Sequence, residues 1–165
     1  MKAQEIMTGN PACCTPDDTA QRAAELMEQN DCGCLPVVDS AESRRVLGVV
    51  TDRDIATRAV AAGKGPDAKV REVMSAQPSC CGIGDDVEEV AHIMSERQVR
   101  RVPVVDADGC CVGMVSQADL ARETERSGDV SEHEVARVVE CVSKPSSTAR
   151  AEARVGRIPE AEHRF

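Results

Sequence analysis

The chain states one pattern twice. Ile6-Met7-Thr8-Gly9-Asn10-Pro11 returns as Val73-Met74-Ser75-Ala76-Gln77-Pro78, 67 positions later. The offset holds without a gap through Cys13-Cys14 on Cys80-Cys81, Asp18 on Asp85, Ala24 on Ala91, Met27 on Met94, and Pro36-Val37-Val38-Asp39 on Pro103-Val104-Val105-Asp106. Beyond those aspartates the offset becomes 65, and the two missing residues fall between Asp39 and Arg45, in a polar turn that absorbs length changes. A tandem duplication requires two like units, each too small for a large core, to pack on one another.

Each copy reads as β-α-β-β-α. A β-compatible run at Cys13-Cys14 precedes a helix whose apolar positions Ala20, Ala23, Ala24 and Met27 are spaced i, i+3, i+4, i+7, and Val87, Val90, Ala91 and Met94 repeat that spacing. Two strands follow, Leu35 to Val38 and Val46 to Val50, joined by the polar turn, and then a second helix from about Asp52 to Ala62. The predicted organisation is a first repeat with its linker over 1–68 and a second over 69–128. A C-terminal helix over 129–145 has a capping box at Ser131-x-x-Glu134 and an apolar face of Val135, Val138, Val139 and Val142. The helix before it should run to about Ser127 and stop at Gly128-Asp129, and residues 146–165 read as a mobile tail. The fold class is α/β (α+β).

The segment that concentrates chemistry is Gly48-Val49-Val50-Thr51-Asp52-Arg53-Asp54, restated as Gly113-Met114-Val115-Ser116-Gln117-Ala118-Asp119. A glycine inside a strand marks close approach by a ligand or another backbone. The hydroxyl at the strand end falls at a helix N-cap, where free N–H groups and the helix dipole favour a phosphate. Thr51 with Asp54 and Ser116 with Asp119 equally fit capping boxes that need no ligand. Both readings stand on the residues alone.

Charge narrows the partners. With 165 residues, a formal charge of -9, 41% hydrophobic and 30% charged residues, no Trp or Tyr and a single Phe at 165, the composition is that of a globular chain. It lacks the basic stripe with stacking aromatics expected of a nucleic-acid binder. No apolar run approaches the ~20 residues needed to cross a bilayer, and no signal-like segment opens the chain, so no nucleic acid, no membrane and a cytoplasmic location are expected. Nine cysteines, an odd number, fit reduced thiols better than a disulfide framework.

These motifs resemble a tandem pair of cystathionine-β-synthase (CBS) domains, the arrangement called a Bateman module. The resemblance covers about residues 3 to 125. It rests on Leu or Val before Pro-Val-Val-Asp and on Gly-x-x-Thr/Ser-x-x-Asp after the turn, both present twice. It implies two repeats packed about a pseudo-twofold, two clefts for an adenosine-containing ligand such as AMP, ADP or ATP, a homodimer, a regulated partner protein, no required cofactor and no catalysis. Carried over by position, it makes Asp54 and Asp119 acceptors for ribose hydroxyls, which suits an acceptor-only carboxylate facing a cis-diol. Thr51 and Ser116 become ribose or phosphate contacts, and Arg53, Arg100 and Arg101 phosphate contacts. Thr8, Cys13, Cys32, Cys34 and Val49 would wall the first cleft, and Ser75, Cys80, Val99 and Met114 the second. Replacement of Asp52-Arg53 by Gln117-Ala118 removes one cation and weakens the second cleft.

The cysteines carry the competing reading, a redox- or metal-responsive protein on the same scaffold. Cys13-Cys14 and Cys80-Cys81 read as small buried hydrophobes. Cys32-Gly33-Cys34 has neither the two-to-four-residue spacing nor the four ligands of a structural zinc site, and His92, His133 and His163 share no motif with the thiols, so no metal site is expected. No motif for nucleophilic, metal-hydrolytic or hydride chemistry occurs, so no enzyme activity is expected.

Overall fold

Reciprocal exchange of leading segments ties the two repeats together in the computed structural model, which describes residues 1–126 and 130–145. The first leading segment forms a one-turn helix α1 (Ala3–Ile6) and a strand β1 (Thr8–Gly9). Helix α2 (Ala20–Gln29) is capped by Thr19, whose hydroxyl accepts from the Arg22 N–H. Strands β2 (Cys34–Val38) and β3 (Val46–Thr51) pair antiparallel, Cys34 opposite Thr51 and Val37 opposite Gly48. Helix α3 (Asp52–Asp54) widens into a π-helical segment, Ile55–Val60, where the Ala61 N–H reaches the Ala56 carbonyl.

The second repeat follows as α4 (Val70–Val73), β4 (Ser75–Ala76), β5 (Cys81–Gly82), α5 (Val87–Arg97), β6 (Arg101–Val105), β7 (Cys111–Ser116) and α6 (Gln117–Arg126). Helix α7 (Glu132–Ser143) starts at Ser131, whose hydroxyl accepts from the Glu134 N–H as the motif requires. The sheets run β1-β7-β6-β5 and β2-β3-β4, so β1 joins the second repeat's sheet and β4 the first's. Two aliphatic cores result, one including Leu35, Val37 and Val50 and the other Val90, Met94, Val104 and Leu120. Burial drives the exchange. Ala3 is sealed in the second core with Ile6 and Met7 against it, while Val70 and Val73 are sealed in the first.

Three expectations are adjusted. The Cys13-Cys14 strand is reduced to a single bridge from Cys14 to Val37, whereas its counterpart Cys81–Gly82 is a strand parallel to β6. The second helix of the first repeat stops at Val60 rather than Ala62. Ala24, placed by spacing on a buried face, is exposed, while its equivalent Ala91 is buried. The cause is α7, whose Val138 and Val142 cover α5 and α6 in the second core, whereas α2 and the π segment keep an open groove of about 420 Å³ lined by Ala20, Ala24, Ile55 and Val60. The proposed stop at Gly128-Asp129 and the tail at 146–165 lie outside the described residues. Among the described residues no helix is long and apolar enough to cross a membrane.

Candidate functional site

Both Thr/Ser-x-x-Asp segments are capping boxes in fact. In the first, the Asp54 Oδ2 accepts from the Thr51 N–H (3.0 Å) and hydroxyl (2.8 Å), and the Thr51 hydroxyl accepts from the Asp54 N–H at 3.1 Å. In the second, the Asp119 Oδ2 accepts from the Ser116 N–H (2.7 Å) and hydroxyl (2.6 Å). One oxygen of each carboxylate is thereby committed. The other faces an arginine from the same helix: Oδ1 of Asp54 lies 3.5 Å from Arg58, and Oδ1 of Asp119 pairs with Arg122. Both carboxylates are largely buried, with side chains 15% and 9% exposed. Each site is a shielded acid with one oxygen held by the cap and the other paired with an arginine.

Arg58 and Arg122 escape a repeat-based reading because they are not equivalent positions. One is four residues after its aspartate, on the π segment, and the other three residues after, on a regular helix. A cation one turn after the acid was the available signal. Arg58 also donates to the carbonyls of Val73 (2.9 Å) and Met74 (3.1 Å) and to the Ser75 hydroxyl (3.2 Å), which draws β4 against Asp54.

The strand exchange re-sorts the expected walls. Thr8 lies opposite Met114 and Ser75 opposite Val49, so Thr8 belongs with the second hairpin and Ser75 with the first, the reverse of the sequential grouping. The glycines explain why. A Cβ on Gly48 would sit 2.8 Å from the Ser75 carbonyl oxygen, and one on Gly113 would collide with the Met7 side chain. The close approach inferred from those glycines is therefore the exchanged segment of the other repeat.

Around Asp54 the structure gathers Thr51, Ser75, Val49 and Cys34, the last paired with Thr51. Around Asp119 it gathers Ser116, Met114 and Thr8, with Arg101 opposite Ser116 and the Arg100 carbonyl accepting from the Gln117 N–H. Burial pushes the Cys34 thiol up to about 12, and the charge of Arg101, from the other repeat, partly opposes it. Cys32 neighbours Cys34, and Gly33 between them is packed on Asp52. Arg53, Arg100 and Thr8 are exposed, and Val99 is half-buried beside the second core. Gln117, at the place of Asp52, has its Oε1 buried without a partner among the described residues. Cys13 and Cys80 lie within electrostatic reach of Cys111, which opens β7, and their sulfurs donate to the carbonyls of Pro11 and Pro78.

Among the described residues, no three His, Cys, Asp or Glu side chains converge as a metal site would require.

Comparison with known proteins places this architecture. The family model described as "CBS domain" matches twice, over residues 3–61 and 70–126. The CBS domain-containing protein YhcV of Bacillus subtilis is 37% identical over 118 residues, 72% of this chain and 81% of that protein. Many solved structures are similar, among them the following three. Hypoxic Response Protein I with two coordinated zinc ions has a TM-score of 0.67 at 34% identity, over 74% of this chain and 98% of that one. The CBS domain pair of MJ0100 in complex with 5'-methylthioadenosine and S-adenosyl-L-methionine has a TM-score of 0.69 at 27% identity, over 76% and 97%. CBSX2 in complex with AMP has a TM-score of 0.64 at 25% identity, over 76% and 96%.

Proposed function

The chain belongs to the CBS domain family, and we propose from that premise that it is a regulatory sensor module binding an adenosine-containing ligand in two clefts, one at each capping box. The observation that carries this reading is the repeated pairing of a shielded carboxylate with an arginine, beside a strand lent by the other repeat. An acceptor-only carboxylate takes ribose hydroxyls, and the arginine it releases is free to meet a phosphate or carboxylate. AMP, 5'-methylthioadenosine and S-adenosylmethionine, the ligands of the similar structures, differ beyond the ribose and share adenosine. Recognition is therefore assigned to adenine and ribose, with the remainder of the ligand setting affinity.

In the first cleft Asp54 accepts from the ribose, Thr51 and Arg53 lie towards the phosphate, and Ser75, Val49, Cys32 and Cys34 form the wall. In the second Asp119 takes the ribose, Ser116, Arg100 and Arg101 face the phosphate, and Thr8, Met114 and Val99 form the wall. Local cations matter in a chain of charge -9, because a polyanionic ligand is otherwise repelled. The role is regulatory rather than catalytic, exerted on a partner protein or through a homodimer that pairs helical faces such as the one exposing Val60. Sedimentation at micromolar concentration should give a dimer, and a monomer contradicts that part.

Equilibrium dialysis of the reduced chain against AMP, ADP, ATP and S-adenosylmethionine tests the function. Absence of Trp and Tyr leaves absorbance near 260 nm to the nucleotide. Retention of at least one of these ligands is expected. Retention of none, with the fold intact, overturns the assignment.

A further inference from the structure

A second cluster of reactive side chains bridges the repeats outside both capping boxes. Cys13 follows β1 in the first repeat, and Cys111 opens β7 in the second. Arg44, in the turn between β2 and β3 and held at a left-handed φ of 53°, reaches across to both. Its Nε donates to the Cys111 carbonyl at 3.1 Å and its Nη2 to the Pro11 carbonyl at 2.9 Å, with the same Nη2 3.2 Å from the Cys13 sulfur. The Cys111 N–H returns a hydrogen bond to the Arg44 carbonyl at 2.8 Å. The Cys13 and Cys111 thiols lie near enough to perturb each other's ionisation, while the Cys13 sulfur donates to the Pro11 carbonyl at 3.4 Å and the Cys111 sulfur to the Gly113 carbonyl at 3.6 Å.

We propose that Cys13 and Cys111 form a redox modification site, at which a peroxide closes a disulfide that staples the first repeat's leading segment to the second repeat's sheet. Two neighbouring thiols gathered around one fixed guanidinium are arranged for this chemistry. Interaction with Cys13, with the Arg44 cation, draws the Cys111 thiol below its ordinary value, and interaction with Cys111 together with burial raises Cys13. One sulfur is thus the nucleophile and the other keeps its proton. Cys111 is 2% exposed and Cys13 half-buried, so Cys13 is the open side from which a molecule as small as hydrogen peroxide arrives.

The step balances. The Cys111 thiolate attacks one peroxide oxygen, the O–O bond breaks, and the departing hydroxide takes a proton to become water, leaving Cys111 as a sulfenic acid. The Cys13 sulfur then attacks the Cys111 sulfur. The hydroxyl leaves with the Cys13 proton as a second water, and the S–S bond forms. Two thiols lose two electrons, and one peroxide gains them. The disulfide would fix the segment that carries Thr8 onto the Met114 strand, and the proposal holds whatever the clefts bind.

The test uses the full reduced chain, treated with hydrogen peroxide near stoichiometry and quenched with an alkylating agent. A loss of about 2 Da in intact mass is expected, with fragmentation placing one link between Cys13 and Cys111 rather than Cys14 or Cys110. The oxidised chain should melt several degrees higher, and reductant should reverse the gain. Cys111→Ser should abolish the link. Cys13→Ser should leave a sulfenic acid at Cys111 that dimedone traps, and Arg44→Ala should slow the reaction by about tenfold. A link elsewhere, such as Cys32 to Cys34, or a Cys13–Cys111 pair no faster to oxidise than Cys141, overturns the proposal. Circular dichroism on each variant keeps a folding defect from being read as lost chemistry.

Discussion

Thr8 stands opposite Met114 in antiparallel register, a residue of the first repeat's leading segment hydrogen-bonded into the second repeat's sheet. The counterpart, Ser75 opposite Val49, completes the exchange. The surroundings of each capping box are thereby built from both repeats.

The exchange predicts which residues act together in binding. Ser75 is tied through Arg58 to Asp54, so Ser75→Ala and Asp54→Ala should be non-additive in ligand affinity, with a coupling of about 0.5–3 kcal/mol. Ser75→Ala and Asp119→Ala, on different clefts, should add within about 0.5 kcal/mol. Calorimetric double-mutant cycles measure both. Coupling of Ser75 to Asp119 instead would return Ser75 to the second cleft.

Close approach at the strand crossing makes a sharper stability prediction. A Cβ at residue 48 would lie 2.8 Å from the Ser75 carbonyl oxygen, backbone that cannot swing aside, so Gly48→Ala should destabilise by about 1–3 kcal/mol. At Gly113 the obstacle is the flexible Met7 side chain, and the cost should be smaller. Nothing lies within 4 Å of a Cβ on Gly9, and Gly9→Ala should be near neutral. Denaturant unfolding of the three variants ranks them. Equal midpoints for Gly48→Ala and wild type would contradict the packing account.

Much of this was legible in the chain, and the gaps have physical causes. The i, i+3, i+4, i+7 spacing named a buried face correctly in Val87, Val90, Ala91 and Met94, because α7 covers the remainder of α5. The same spacing misjudged Ala24, since spacing encodes which face is apolar and not whether another element arrives to cover it. The duplication showed that the leading segments were equivalent, but equivalence carries no information on whose sheet they join. That depends on which edge is open after each repeat has packed its own helix. Thr51 and Asp54 were visible as a box, while Arg58 was hidden by a π turn that moves it out of step with its counterpart.

Alkaline pH should expose the buried thiols. Burial pushes Cys14, Cys34 and Cys81 up to about 12 from an ordinary 9.0. Because the folded values are the raised ones, the folded chain keeps protons that the unfolded chain gives up. The stabilisation is complete below about pH 9 and is lost as pH climbs towards 12. The melting temperature should therefore fall between pH 9 and 11, and the fall should be shallower in Cys81→Ala and Cys34→Ala. An identical slope in those variants would place the cause elsewhere.

The most direct test of the account concerns Asp54. If its arginine-paired oxygen holds a ribose, Asp54→Ala should weaken AMP or ATP binding at the first cleft by about one to two orders of magnitude, the worth of one charge-assisted hydrogen bond of roughly 1.5–3 kcal/mol. Loss of the helix cap alone would cost about 1 kcal/mol of stability and leave affinity nearly unchanged. Asp119→Ala should have the smaller effect on the tight phase, since Gln117-Ala118 leaves the second cleft without the counterpart of Arg53. Titration calorimetry with AMP and ATP on the reduced wild type and both variants, alongside their melting curves, separates the outcomes. The account predicts lost affinity with the fold retained, and Asp54→Ala binding as tightly as wild type while melting lower would contradict it.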